Sequence, residues 1–456
     1  MPGEKKGRNE KEERTCTFKT HDGKPCRRIL HDDKHCIFHS EDIEGKKDKF
    51  NDEFWKEFER QKEHEEKYVF RGFIFPGDIS FNSKEFEKDV DFLDAQFSGE
   101  ANFGEAQFSG EAAFVRAQFS GNAHFWRARF SGVAYFGSAR FSGKAYFGVA
   151  QFSGEAYFGV AQFSGAAYFG SAQFSGAAYF GSAQFSGEAY FGVAQFSGAA
   201  DSVRAQFSGA ADFMRAQFSG KAYFVRAQFS GAADFRSAQF SGAADFGGAQ
   251  FSGEVNFSGA EFHSKSFFME VKFEDLNQLN MINTSFYNVF GLLEYIAENR
   301  NKFKRSKGIK YLHDTCKPIL GETTVSRLPL LSREIKDDVY LMSFKKKHPT
   351  IHFIWWLFAD CGRSFSRWAL WSIIFAVLFA YLFFSMGTEA FSISKLPFSF
   401  ETMLYYSLVT FTTLGFGDVI PNTAEASRLV MLEVILGYIM LGGLISILAN
   451  KLARRS

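Results

Sequence analysis

From residue 70 to residue 273 a phenylalanine recurs at alternating steps of five and six residues, through Phe75, Phe81, Phe86, Phe92 and Phe97 to Phe262 and Phe268. Of 38 positions on this lattice, 37 are phenylalanine, and the exception is Ser202. The full period is 11 residues, A-Q-F-S-G followed by x-A-x-F-x-x. Few folds accept such a pattern. An 11-residue period suits a right-handed helical supercoil, but a Ser-Gly in every repeat costs about 1 kcal/mol per glycine inside a helix. Steps of five and six also scatter the rings around a helix surface. A helix is therefore not expected.

Each half-repeat is a pentapeptide with Ala two places before Phe, and this resembles the pentapeptide-repeat family, A-(D/N)-(L/F)-x-x. The resemblance implies a right-handed, four-sided β-solenoid over residues 69–275. One departure stands out: every 11-mer holds an extra residue after Ser-Gly, as at Glu100, Glu111, Asn122, Val133 and Lys144. Gly99, Gly110 and their equivalents are expected to absorb it as a bulge or a wider corner. Sides of 5, 6, 5 and 6 residues give 22 per coil. The run then makes about nine coils, a rod of roughly 45 Å at ~4.8 Å per coil. Arg116, Arg127, Arg204, Arg215 and Arg226 read as a basic streak on its surface. Some family members mimic DNA through acidic faces, and this surface does not suit that role. A cytoplasmic scaffold or regulatory domain is the expectation, with solvated structural filler the alternative.

Composition changes abruptly after the repeat. Residues 368–386, "WALWSIIFAVLFAYLFFSM", carry no charge, and residues 429–449, "LVMLEVILGYIMLGGLISILA", carry only Glu433. A helix needs ~20 apolar residues to cross the hydrocarbon core, so both qualify. Arg363 and Arg367 precede the first span, and Lys451, Arg454 and Arg455 follow the second. This bias predicts a multi-pass membrane protein with both termini cytoplasmic. Between the spans, "FSFETMLYYSLVTF" is too short to cross and reads as a re-entrant helix, with Ser399 at its N-cap. The chain then returns through an extended segment, residues 412–417. Bare backbone at membrane depth is tolerated where it is buried in protein or lines water, which points to a pore.

A strand whose carbonyls all point one way needs alternating backbone handedness, and Gly415 and Gly417 adopt positive φ cheaply. Thr413 adds a hydroxyl oxygen. Oxygens arranged this way replace the water shell of a bare cation. The preceding helix turns the negative end of its dipole toward the pore. Thr413, Leu414, Gly415, Phe416, Gly417 and Asp418 resemble the potassium-channel signature T-V-G-Y-G-D. The arrangement over 367–456 resembles two-transmembrane prokaryotic potassium channels. Leu414 replaces Val and Phe416 replaces Tyr; the second change removes a hydroxyl that would bond neighbouring aromatics. The resemblance implies a selectivity filter at 413–418, a K⁺ cargo and a homotetramer. It implies a gating hinge at Gly437, with close helix packing as the alternative role. Tyr405, Tyr406 and Thr412 fall at filter-supporting positions, and Val409 stands where some relatives carry an acidic filter partner. Glu433, an intramembrane acid, is a functional candidate by default and is placed behind the filter against the pore helix. Gly442 and Gly443 read as packing positions.

Near the start, Cys16, Cys26, Cys36 and His39 read C-x9-C-x9-C-x2-H. Four soft ligands of this kind suit tetrahedral Zn²⁺, and the spacing is similar to small Cys3His modules such as the plant WRC type. Free thiols on a tail are the alternative. Residues 1–40 form this module, and 41–68 read as an exposed charged helix or linker. Residues 276–350 read as a helical collar, basic at Arg300, Lys302, Lys304, Arg305, Lys307 and Lys310 and again at Lys345, Lys346 and Lys347. Either cluster could meet anionic lipid. Residues 351–366 read as an interfacial helix with Trp355 and Trp356 at headgroup depth. Isolated Cys316 and Cys361 suit a reducing compartment, and "MPGEKKGRNEKEER" has no apolar core for a secretory signal.

With Lys plus Arg at 52 against Asp plus Glu at 51, no bulk charge points to nucleic acid. No phosphate-binding loop or nucleophile–His–acid set points to an enzyme. The expectation is a potassium-selective channel with a cytoplasmic solenoid. The alternatives are a non-selective cation channel, or a membrane-anchored scaffold with a vestigial pore.

Overall fold

The computed structural model describes residues 15–19, 23, 25, 26, 28–275, 278–281, 283–292, 295, 341, 344, 345, 347–360 and 364–453. The basic segment 300–310, Cys316, Lys346, Cys361, Arg363, Arg454 and Arg455 lie outside these residues, as does the side chain of Lys451. The chain divides into two compact units, residues 1–336 and 337–456.

The first unit is a parallel β-solenoid. Its strands are mostly two residues long, and up to the last coil each pairs in parallel with the strand 22 residues on. Examples are Gln118 with Arg140, Ala123 with Ala145, Arg129 with Gln151 and Ala134 with Ala156. Four such ladders run the length of the rod, one per side, and two of them are separate ten-stranded sheets. Ten coils therefore replace the expected nine. The ladder also continues past residue 275 into the segment expected to be helical. Leu279–Asn280 and Ser285–Phe290 pair with Val255–Asn256 and Glu261–Phe267. The continuation was hard to see because the Phe spacing breaks there.

The lattice phenylalanines and the alanines two places before them are buried along the rod. Phe119 and Phe141 stack with centroids 4.8 Å apart at 1°, and Phe147 meets Phe158 edge-on at 5.3 Å and 88°. Both geometries suit the ring quadrupole. One column is broken: Ser202 stands between Phe180 and Phe224, one coil before and one after.

Two kinds of corner turn the chain. After each Phe of the x-A-x-F-x-x half, the second residue takes a left-handed backbone even without glycine. Arg116, Val160 and Ser237 are examples, with φ of 55°, 60° and 54°. At the other corner, the glycine after serine has no positive φ. It is needed for a different reason: a Cβ on Gly143 would sit 2.5 Å from the Gly121 carbonyl oxygen of the previous coil. The extra residue is thus accommodated by bare backbones stacking closely, not by a left-handed glycine. The expected basic streak is also divided. Arg116, Arg204 and Arg226 share one corner column and Arg127 and Arg215 the opposite one. Arg116 is paired with Asp94 at 2.7 Å and Arg127 with Glu105 at 3.7 Å.

Residues 41–68 hold a helix, one of the two expectations, but one of its faces is buried rather than exposed. Helix α1, Ile43–His64, is N-capped by the Asp42 side chain and buries Phe50, Phe54 and Phe58 against the first coil. Their i, i+4, i+8 spacing forms one apolar stripe, which the surrounding charges obscured.

The second unit holds α2 (Pro349–Ala359), α3 (Phe365–Ser385), α4 (Phe400–Phe411) and α5 (Ala424–Ala453). Helices α3 and α5 are long and apolar enough to cross a membrane. Short α4 packs against both, in a core that includes Phe379, Phe383, Met403, Tyr406 and Ala426. An antiparallel pair of strands, Phe391–Ile393 and Val419–Pro421, ties the chain before α4 to the chain after it. In α2, Ile351, Phe353 and Ile354 are exposed, while Phe358 packs on Trp371 and Phe375 of α3.

Candidate ion-conduction site

The Ser399 hydroxyl accepts from the Thr402 amide at 3.1 Å and starts α4, with Glu401 in the first turn. The helix ends at Thr412, whose hydroxyl donates back to the Leu408 carbonyl at 2.7 Å. Residues 413–417 then run without helix or strand. Their backbone alternates: φ is +61° at Thr413, +50° at Gly415 and +77° at Gly417. The two glycines were expected to take this conformation, but Thr413 carried no sign of it. Both ends of the segment are anchored. The Thr413 and Leu414 amides donate to the Thr410 and Val409 carbonyls at 3.0 and 2.9 Å. The Asp418 carbonyl accepts from the Ser394 amide at 3.0 Å and its hydroxyl at 3.2 Å.

The segment borders a cleft of about 370 Å³ lined by Thr413, Phe416, Asp418, Val430, Val434 and Tyr438 among others. Leu414 and Phe416 are 64% and 66% exposed in the single chain. Tyr405 reaches the Asp418 carboxylate. Tyr406 is instead buried against Phe383 and Phe391, at 5.4 and 5.7 Å.

Glu433 of α5 is fully buried and accepts a short hydrogen bond from the Ser407 hydroxyl of α4. Ser407 also lies 2.7 Å from the Ala376 carbonyl of α3. Ser407 and Ser394 were missed in the sequence; Ser407 is one of several polar residues of α4, with Glu401, Thr402 and Thr410, and its spacing does not single it out. Gly437 lies within unbroken α5, where an added Cβ would strike the Phe411 carbonyl oxygen at the end of α4. Its missing side chain serves this packing. Gly443 serves a second contact, against the Trp368 ring, whose Nε1–H donates to the Met440 carbonyl at 2.5 Å. Gly442 has open space around it.

In the first unit, one donor atom from each of Cys16, Cys26, Cys36 and His39 lies within 4.8 Å of the others. Cys26 and Cys36 sulfurs are 3.8 Å apart, and His39 Nδ1 is 3.7 and 3.3 Å from those of Cys16 and Cys36. Tetrahedral zinc with Zn–S ~2.3 Å and Zn–N ~2.0 Å places its ligands ~3.5–3.8 Å apart, close to the separations of these three pairs. His39 Nε2 lies 3.0 Å from the Arg71 carbonyl. That oxygen only accepts, so Nε2 carries the proton and Nδ1 turns a lone pair toward the sulfurs. Hydrogen bonding with Cys36 draws the Cys26 thiol far below the ordinary cysteine range, toward the thiolate that binds metal.

Six stretches between residues 70 and 272 match the family described as pentapeptide repeats (9 copies), and residues 371–454 match the family described as ion channel. The chain is 30% identical over 87 residues to Two-pore potassium channel 4 of Arabidopsis thaliana. That match covers 18% of this chain and 31% of the relative's length. No solved structure matches the chain. The second unit therefore contains an ion-channel domain, and two of its helices suit a membrane.

Proposed function

We propose that this chain, in which pentapeptide repeats are joined to an ion-channel domain, is a homotetrameric potassium-selective channel. The observation that carries the reading is the left-handed backbone at Thr413, Gly415 and Gly417, alternating along the T-x-G-F-G-D segment at the end of a short helix. Alternating handedness turns successive carbonyls to one side, and four such strands surround a dehydrated K⁺ with oxygens. The exposure of Leu414 and Phe416 in one chain supports a ring of copies that covers them. Ion flow follows the electrochemical gradient, without covalent chemistry.

In this reading Tyr405 and Asp418 brace the outer end of the filter, and Ser407 and Glu433 brace the pore helix from behind. Thr412 closes that helix, and Tyr406 fixes it to α3. A bend at Gly437 would break its contact with Phe411, so opening of the inner helix would be felt at the base of the filter. Both termini are cytoplasmic, and the Cys3His set holds zinc.

Purified protein in liposomes tests the main reading. We expect tetramers by native mass spectrometry and potassium flux that barium blocks, with sodium excluded. Equal sodium and potassium flux would replace selectivity with a general cation pore. Tetramers passing no cation would make the chain a membrane-anchored scaffold.

A further inference from the structure

A solenoid leaves its first coil with an open edge of unpaired strand groups and an exposed end to its aromatic core. Such an edge is a template for association unless covered. Here the cover is built from the phenylalanine stripe of α1 and from the segment that carries the Cys3His set. The Ile74 amide donates to the Phe38 carbonyl at 2.7 Å, and its carbonyl accepts from Lys46 Nζ at 2.7 Å. Lys46, fully buried, also donates to the Ser40 carbonyl at 2.6 Å. Gln61 acts as a substitute strand: its Oε1 accepts from the Val69 amide at 2.6 Å and its Nε2 donates to the Val69 carbonyl at 3.2 Å. The Phe38 ring stacks on Phe73 at 4.6 Å and 3°.

Two bonded paths join this cover to the sulfurs. His39 Nε2–H donates to the Arg71 carbonyl of the first coil at 3.0 Å. Arg28 donates to Cys26 Sγ at 3.6 Å and to Glu57 Oε1 at 2.7 Å. Glu57 Oε1 in turn accepts from Gln61 Nε2 at 2.7 Å. The segment 15–40 itself offers five large apolar side chains, Phe18, Ile29, Leu30, Ile37 and Phe38. A segment so small needs a staple other than a hydrophobic core.

We infer that zinc held by Cys16, Cys26, Cys36 and His39 locks a terminating cap onto the first coil of the solenoid, with His39 as the bridge between metal and coil. The inference rests on the zinc assignment, and the experiment separates the two. Zinc content of the full-length chain is measured by elemental mass spectrometry. Hydrogen exchange is then followed in peptides over residues 68–76 and, as an internal control, 145–158. One equivalent of zinc is expected. Chelation should speed exchange over 68–76 by about tenfold or more while the middle coils stay within about twofold, because local openings are independent of distant coils. Zinc added back should restore protection.

Cys36→Ser should lose metal and behave like the chelated protein. His39→Cys supplies a fourth thiolate but no Nε2–H, so it should keep zinc and still exchange faster over 68–76. Less than half an equivalent of zinc in the wild-type chain would remove the metal assignment and the clamp with it. A full equivalent, with exchange over 68–76 unmoved by chelation, would leave the metal site standing and overturn the clamp.

Discussion

Glycine serves opposite ends in the two units. In the solenoid, the glycines after serine have ordinary backbone angles but no room: a Cβ on Gly143, Gly154 or Gly187 would lie within 2.5 Å of the carbonyl oxygen one coil back. In the pore segment, Gly415 and Gly417 have positive φ and nothing within 4 Å of the added atom in the single chain. The first set is chosen for absent volume and the second for backbone freedom. The solenoid even takes the left-handed conformation without glycine, as at Arg116 and Val160. There the corner amides are held by the next coil, Arg116 N to the Gly137 carbonyl at 3.0 Å and Val160 N to the Gly181 carbonyl at 3.0 Å. A ladder repeated along a rod imposes conformations that local sequence does not favour. The pore segment has no such ladder: Thr413 is held in that conformation next to its amide's bond to the Thr410 carbonyl at 3.0 Å, and further along Gly415 and Gly417 take it by their own freedom.

The largest effect that tests this contrast is at Gly415. An L-residue in left-handed backbone costs about 1–2 kcal/mol, and the strand has few bonds to enforce it. Gly415→Ala should flip the local backbone and lower potassium flux by about a hundredfold or more, since misdirected carbonyls no longer replace the ion's water. The protein should still assemble and its solenoid should melt as before. Normal flux in liposomes would sink the filter assignment.

Next is Gly187. Its Cβ would meet the Gly165 carbonyl oxygen at 2.5 Å, and both sides of that contact are backbone. Forcing extra atoms into a packed interior costs about 1–3 kcal/mol. Gly187→Ala should therefore reduce solenoid stability by about that amount and loosen hydrogen exchange in the coils on either side. If the variant matched the wild type, the coils would be less closely stacked than described, and these glycines would need another explanation.

What could be read from the sequence follows the same division. The 22-residue register was legible because identical side chains recur at a fixed step and stack best on themselves. The left-handed corners were not, because Arg116 and Val160 hold that shape through neighbouring coils. Helix α1 as a cover was hidden by charge around Phe50, Phe54 and Phe58, and the last strands by the broken Phe spacing after residue 273. In the pore, Gly415 and Gly417 advertise their φ, whereas Thr413 does not. Glu433 stood out as an acid in an apolar helix, but its partner Ser407 lies in another element, and spacing along one chain cannot reveal that pairing. The Cys3His cluster was readable from its residue types; the bond from His39 to Arg71, and the path from Cys26 through Arg28 to Glu57, depended on where the first coil and α1 would lie.

The smallest expected effect is the most specific to the repeat. Ser202 interrupts a stack that otherwise places a ring in every coil, and it is buried between Phe180 and Phe224. Neighbouring columns show the missing geometry: Phe185 stacks on Phe207 at 4.9 Å and 3°. The backbone at Ser202 already follows the lattice, with its amide donating to the Tyr223 carbonyl at 2.7 Å. A phenylalanine there needs no change of register. Filling such a site commonly adds about 0.5–2 kcal/mol, and an aromatic pair contributes about 0.5–1.5 kcal/mol beyond its burial. Ser202→Phe should raise the solenoid's melting temperature by a few degrees and slow exchange in the coils around residue 202. Destabilisation instead would mean that the coils have closed over the serine, and that the lattice is less rigid across its one exception than elsewhere. The pore offers no counterpart to this test, since no second copy of its strand exists in the chain to supply the missing pattern.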